Sequence, residues 1–273
     1  MHQTLPPAVP PTADWHDRVA PLLPLFRALT ALSPDSLVWK NADPALAGDG
    51  DVDWVAPPGC WDAIVERVRA WAAEGGLGPV VVCRHVPDGM FVIALRGGGE
   101  FFQLDVRSRA TYRGGTVFRV QDLLPMAEMD ARGFRTLRPG AEGLLKLVLK
   151  GSDRAGGQRT RNLQSERVLE LICQDATGVR QAAALFGMAR GALVAAAERF
   201  RAGGWSRPAM LTVELSCRLR ALSEPRVAFG RARFRSASMK RCPVLRASIQ
   251  GRRHPPANHT AWLRQVAESH EVF

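Results

Sequence analysis

Asp51 and Asp53 stand two residues apart in Gly48-Asp49-Gly50-Asp51-Val52-Asp53-Trp54, after a glycine-bearing turn and at the start of an apolar segment. In a strand, residues i and i+2 point to the same face, so both acids share one side of a sheet. Two like charges about 4 Å apart repel by about 4 kcal/mol at an effective dielectric of 20. A cation set between them relieves that repulsion. A third carboxylate, Asp105, occurs in a second strand-like run. Three carboxylates converging this way suit a hard divalent ion such as Mg²⁺, and the chemistry they suggest is phosphoryl or nucleotidyl transfer. The same residues also fit a solvated acidic strand end. A calcium loop is excluded, because the pattern opened by Asp49 would need glycine at 54 and glutamate at 60, where the chain has Trp54 and Cys60.

The elements that must position these acids follow from periodicity. Asp14 to Leu32 has apolar residues at helical spacing, with Pro21 and Pro24 interrupting its first half. Ser36 to Asn41 reads as a strand, Asp43 to Gly50 as a loop, and Asp51 to Ala56 as a second strand closed by Pro57-Pro58-Gly59. Cys60 to Ala73 carries a helical apolar stripe that Gly75 and Gly76 stop. Strands are expected at Pro79 to Val86, Met90 to Leu95 and Glu100 to Arg107, with one more at Arg109 to Val120. The turns between the first three are Pro87-Asp88-Gly89 and Gly97-Gly98-Gly99. In both acid-bearing strands one face holds carboxylates and the other apolar residues: Val52, Trp54 and Ala56, then Phe102, Leu104 and Val106. The expected fold is α+β, a mixed sheet with helices on one side and a core of about 140 residues.

After Pro139 the pattern turns helical, at Ala141 to Lys150, Leu163 to Cys173, Gly178 to Phe186, Arg190 to Phe200 and Met210 to Leu222, with a polar linker at Arg154 to Arg161. The chain thus divides into a proline-rich lead at 1–13, an α/β domain at 14–155, a helical domain at 160–225 and a basic tail at 226–273. Ala183, Gly187, Met188, Leu193 and Ala196 fit helix-turn-helix spacing, but the second helix is nearly bare of side chains that reach base edges. Net charge is +11 over 273 residues, and it is local: residues 199–253 hold 14 Lys+Arg against two acids. That surplus suggests contact with a polyanion, nucleic acid or an anionic membrane surface, or else a solvated arginine-rich face. The five cysteines are dispersed without CxxC spacing, which points away from disulfides and structural zinc and toward a cytoplasmic home. No run approaches the roughly 20 apolar residues of a membrane span.

The order of strand, loop, Asp-x-Asp strand, helix and distal strand Asp resembles the nucleotidyltransferase superfamily with the polymerase-β-like fold. It looks most like the bacterial nucleotidyltransferase-like proteins of surface-polysaccharide gene clusters. The residues that carry the likeness are Leu37-Val38-Trp39-Lys40-Asn41, the Asp51/Asp53 pair, Asp105, Tyr112-Arg113-Gly114-Gly115 and Pro139 to Gly151. They cover about residues 30 to 155. The resemblance implies that Asp51, Asp53 and Asp105 bind Mg²⁺ and are the catalytic acids. The co-substrate is an NTP, whose nucleoside monophosphate passes to a hydroxyl acceptor: a small molecule, a sugar phosphate or a protein. Lys40-Asn41 stands where the family carries Gly-Ser, and Lys40 can meet phosphate as a point charge. Lys146 and Lys150, at i and i+4 on one helix, are expected to face the nucleotide. Arg107 and Arg113, with Arg109 between them, are expected to hold an anionic substrate. Two other readings stay open: a catalytically inactive member that binds nucleotide or a partner, and a nucleic-acid-binding protein that uses the basic segment.

Overall fold

The structure, a computed structural model, describes residues 19–47, 51–78, 80–95, 101–159 and 163–241. The lead at 1–13 and the glycine turns at 48–50 and 97–99 lie outside the described residues.

The alternating strands pair as their apolar faces require. Strands β1 (Leu37–Lys40), β2 (Val52–Val55), β3 (Val80–Val86), β4 (Gly89–Leu95), β5 (Phe101–Arg107), β8 (Ala127–Met129) and β9 (Arg135–Leu137) form a seven-stranded sheet in the order β3-β4-β5-β2-β1-β9-β8. Pairs β2/β5 and β1/β9 are parallel and the others antiparallel, so the sheet is mixed. β3 and β4 meet through a tight turn at Pro87-Asp88, with Val86 opposite Gly89.

One face of this sheet is apolar at its centre. Val52, Trp54 and Ala56 point with Val92, Leu104 and Val106 onto helices α1 (Val19–Leu32) and α3 (Trp61–Glu74), meeting Phe26, Ile64 and Val68. Phe26 lies edge-on to Phe134 at a centroid separation of 5.2 Å, a favoured aromatic geometry. α1 runs from Val19 to Leu32 through Pro24 without the interruption expected there.

The opposite face departs from the expectation of helices on one side only. It is polar at Asp53 but apolar two residues later at Val55. Val55, Leu37 and Trp39 join a second core with helix α5 (Pro139–Gly151) and helices α6 (Ser165–Gln174), α7 (Ala176–Ala184), α8 (Arg190–Arg201) and α9 (Arg207–Ser223). Helices therefore cover both faces. A short helix α2 (Ala42–Leu46) follows β1, in the segment expected to be loop.

The expected strand at Arg109 to Val120 is instead a hairpin, β6 (Arg109–Tyr112) and β7 (Gly115–Arg119), followed by the single helical turn α4 (Val120–Leu123). Its two-residue loop is Arg113-Gly114, with φ of 53° and 91°. Positive φ at both central residues is the twist-matched hairpin turn, and only Gly114 takes it without strain. The basic tail also begins differently: helix α10 (Pro225–Arg241) packs along edge strand β3 and covers it. Residues 242–273 lie outside the described part. Among the described residues no helix is long and apolar enough to cross a membrane, and Cys60, Cys83, Cys173 and Cys217 are free thiols.

Candidate metal centre

The parallel pairing of β2 with β5 sets Asp53 directly opposite Asp105. Asp51 precedes β2 by one residue. One carboxylate oxygen from each of the three residues lies within 4.8 Å of the others. Asp53 and Asp105 are almost fully buried, at 1% and 2% exposure, while Asp51 is half-buried. Sequence phasing thus brought all three acids to one point.

Two cations answer these charges from within the chain. β1 runs antiparallel to β2 and places Lys40 opposite Asp53, after a register shift between Val38 and Lys40. The Lys40 ammonium, itself buried, bonds Asp53 Oδ2. Arg107, two residues beyond Asp105 on the same face, donates from Nε to Asp105 Oδ1 at 3.1 Å and Oδ2 at 3.0 Å, and from Nη2 to Oδ2. Burial drives the Asp53 carboxyl up to about 6; Lys40 opposes the rise, and Asp51 and Asp105 add to it. Burial also works against the Arg107 charge, yet Asp105, backed by Asp53 and Asp51, keeps its guanidinium more firmly protonated than usual. Lys150, in the last turn of α5, feels the same field: repulsion from Lys40 first, and partial desolvation second, lower its pKa.

Next to Lys40 the chain reverses at Asn41, which takes the left-handed conformation at φ 60°. Glycine adopts this without strain, and asparagine is one of the few other residues that visit it routinely. Asn41 is tied down from α5. Its N–H donates to Glu142 Oε1 at 2.9 Å, and its side-chain oxygen accepts from Lys146 Nζ at 2.7 Å. Lys146 is buried and also reaches Gln164 Oε1 at 3.4 Å and lies 3.6 Å from Glu142. Burial lowers the Lys146 pKa and raises that of Glu142. Lys146 therefore braces the turn after Lys40, whereas Lys150 faces the acid site.

Arg113, at the hairpin turn, pairs with Glu214 of α9 at 3.1 Å and stacks over Tyr112 at 4.7 Å. Its charge is thus committed to the helical side. Of the helix-turn-helix positions, Ala183, Leu193 and Ala196 are buried in the core and Met188 is exposed. Glu142 was missed from sequence. Its signal was an acid four residues before Lys146 on a largely apolar helix.

The donor set suits magnesium: three hard carboxylates converge, and the repulsion among them contributes to the raised Asp53 pKa. The residues that would hold the ion are Asp51, Asp53 and Asp105. No protein-family model, curated protein or solved structure matches this chain.

Proposed function

We propose that the chain is a Mg²⁺-dependent nucleotidyltransferase that moves a nucleoside monophosphate from an NTP to a hydroxyl acceptor. The observation that carries this reading is the convergence of Asp51, Asp53 and Asp105 from neighbouring parallel strands to within 4.8 Å. A divalent ion bound by these acids supplies charge neutralisation for a triphosphate and a lowered pKa for an acceptor hydroxyl. The chain's own residues do the rest. With the ion bound, Lys40 would give up Asp53 as a ligand and its ammonium would be free to meet phosphate oxygens. Lys150, beside it, adds a second positive charge. Arg107 fixes the Asp105 carboxylate from the side by a forked bond, which limits its rotation.

A second reading rests on the same two ion pairs. Lys40 and Arg107 already satisfy Asp53 and Asp105, which favours a nucleotidyltransferase-like fold that binds a partner without turnover. Incubation of the full chain with each NTP, Mg²⁺ and a panel of hydroxyl acceptors separates the two. The transferase releases pyrophosphate, and Asp53→Asn lowers the rate roughly a hundredfold or more. Silence with every NTP, together with no Mn²⁺ binding at the acids, rejects the transferase.

A further inference from the structure

A second opposed pair of like charges, this time cationic, sits away from the acids. In the β6/β7 hairpin Arg109 lies directly across from Arg119. Directly opposed cross-strand neighbours have Cβ atoms about 5 Å apart, and like charges there destabilise the sheet. Both side chains line a cleft of about 310 Å³ that opens past the ends of β2 and β5. Ser108 begins this cleft three residues after Asp105, about 10 Å along the chain at strand rise, so it is distinct from the metal centre.

Among the described residues each arginine has one carboxylate within ion-pair range, but neither pair is hydrogen-bonded. Asp88 Oδ2 lies 4.0 Å from Arg109, beyond hydrogen-bond reach, while Arg231 of α10 bonds Asp88 Oδ1. Glu224 Oε1 lies 3.7 Å from Arg119, also short of a hydrogen bond, while its Oε2 accepts the Thr116 hydroxyl. Arg109 is 27% and Arg119 47% exposed, so both guanidiniums reach solvent. The rim is fixed: the Ser108 N–H donates to the Asp88 carbonyl at 3.0 Å, and the Ser108 carbonyl accepts from the Val120 N–H at 3.1 Å. Gln121 adds an amide, Asp35 a carboxylate, and Pro57 and Leu124 an apolar wall.

We propose that this cleft is an anion site in which Arg109 and Arg119 clamp the oxyanion of a small organic phosphate or carboxylate, whose apolar body lies against Pro57 and Leu124. Arginine's planar fork matches both oxyanions, and the volume is at the lower bound of small-molecule pockets, about 300 Å³. An oxyanion between the two guanidiniums turns a repulsive pair into two attractive ones. The site does not depend on the nucleotidyl-transfer reading.

Calorimetric titration of the full chain at low salt tests it, with phenyl phosphate and benzoate as separate probes and phenol as the neutral control. Saturable heat is expected for at least one anion, the stronger identifying the oxyanion, and none for phenol. Arg109→Gln and Arg119→Gln each weaken binding about tenfold or more, and Asp53→Asn leaves it unchanged. Each arginine-to-glutamine variant relieves the Arg–Arg repulsion and loses one long ion pair, so each is expected to melt within a few degrees of the parent, and Arg119→Lys, which keeps the charge, retains part of the affinity. Absence of saturable heat with both anions, or unchanged affinity in folded Arg109→Gln and Arg119→Gln, overturns the proposal.

Discussion

Lys40 decides what Asp53 is available to do. A buried ion pair is a weak source of net stability, but removal of one partner strands the other and costs about 3–5 kcal/mol. Asp53 would then be left with two carboxylate neighbours and no bonded cation. Lys40→Met is therefore expected to melt well below the parent in chelator, and to regain most of that loss when Mn²⁺ is added. Its Mn²⁺ affinity should rise about tenfold, because the ion no longer competes with an ammonium. Titration followed by the Mn²⁺ electron-spin signal reads this directly. Asp53→Asn should lose the binding in either background. Equal Mn²⁺ affinity in parent and Lys40→Met would mean that Lys40 does not compete for the metal's ligand.

Among the elements, the join between α5 and α7 is specified by both side chains and backbone. Asp175 caps α7, accepting the Gly178 N–H at 2.9 Å, and its carboxylate takes a two-pronged bond from Arg138, at 3.0 and 2.7 Å, at the start of α5. Arg138, ahead of burial and the Gly178 N–H, sets the balance that holds the Asp175 carboxyl down at about 2. A depressed acid stabilises above its unfolded value, about 3.9, and loses that contribution as pH falls from there toward the folded value. Asp175→Ala should cost about 2 kcal/mol in urea melts at about pH 6, and the gap from the parent should narrow below about pH 4. A gap independent of pH would remove the carboxylate from the account. The backbones approach as closely as the side chains: a Cβ on Gly140 would lie 1.8 Å from the Asp175 carbonyl. Gly140→Ala is therefore expected to lower stability by about 3 kcal/mol or more, or to prevent folding, although alanine normally strengthens a helix. Elements of this kind were only partly legible in sequence. Strand phasing found the acid triad because period-2 alternation survives without tertiary information, as in Val52-Asp53-Trp54. The hairpin at 109–119 was read as one strand because its turn uses Arg113, a residue that does not advertise positive φ. The close approach at Gly140 and the register that opposes Arg109 to Arg119 depend on partners distant in sequence, so no local pattern reports them.

At the scale of the whole molecule, the basic segment and the helical half both prove to be bound into the fold. Arg220 donates to the carbonyls of Thr116 and Leu185 at 2.8 and 2.9 Å, Arg207 to that of Ala155 at 2.9 Å, and Arg231 pairs with Asp88. Part of the charge surplus that composition placed at 199–253 therefore fastens helices rather than facing a partner; net charge cannot distinguish the two uses. The helices are joined to the sheet by more than arginines. Leu37, Trp39 and Val55 of the sheet share one continuous core with Leu144, Val168, Leu193 and Val213. A Cβ on Gly115 of the hairpin would lie 2.3 Å from the Cys217 carbonyl of α9, so the hairpin and α9 are packed backbone to backbone. A shared core predicts shared unfolding. Thermal melts followed by far-ultraviolet circular dichroism, dominated by helix, and by tryptophan fluorescence, dominated by Trp39, Trp54, Trp61 and Trp71 of the sheet half, should give coincident midpoints. A chain ended at residue 159 should expose Leu144, Leu147 and Val148 and aggregate, since it leaves one side of a buried apolar surface without its cover. Two separated transitions, or a soluble and cooperatively folded 1–159 fragment, would show instead that the sheet half stands without the helices that enclose it.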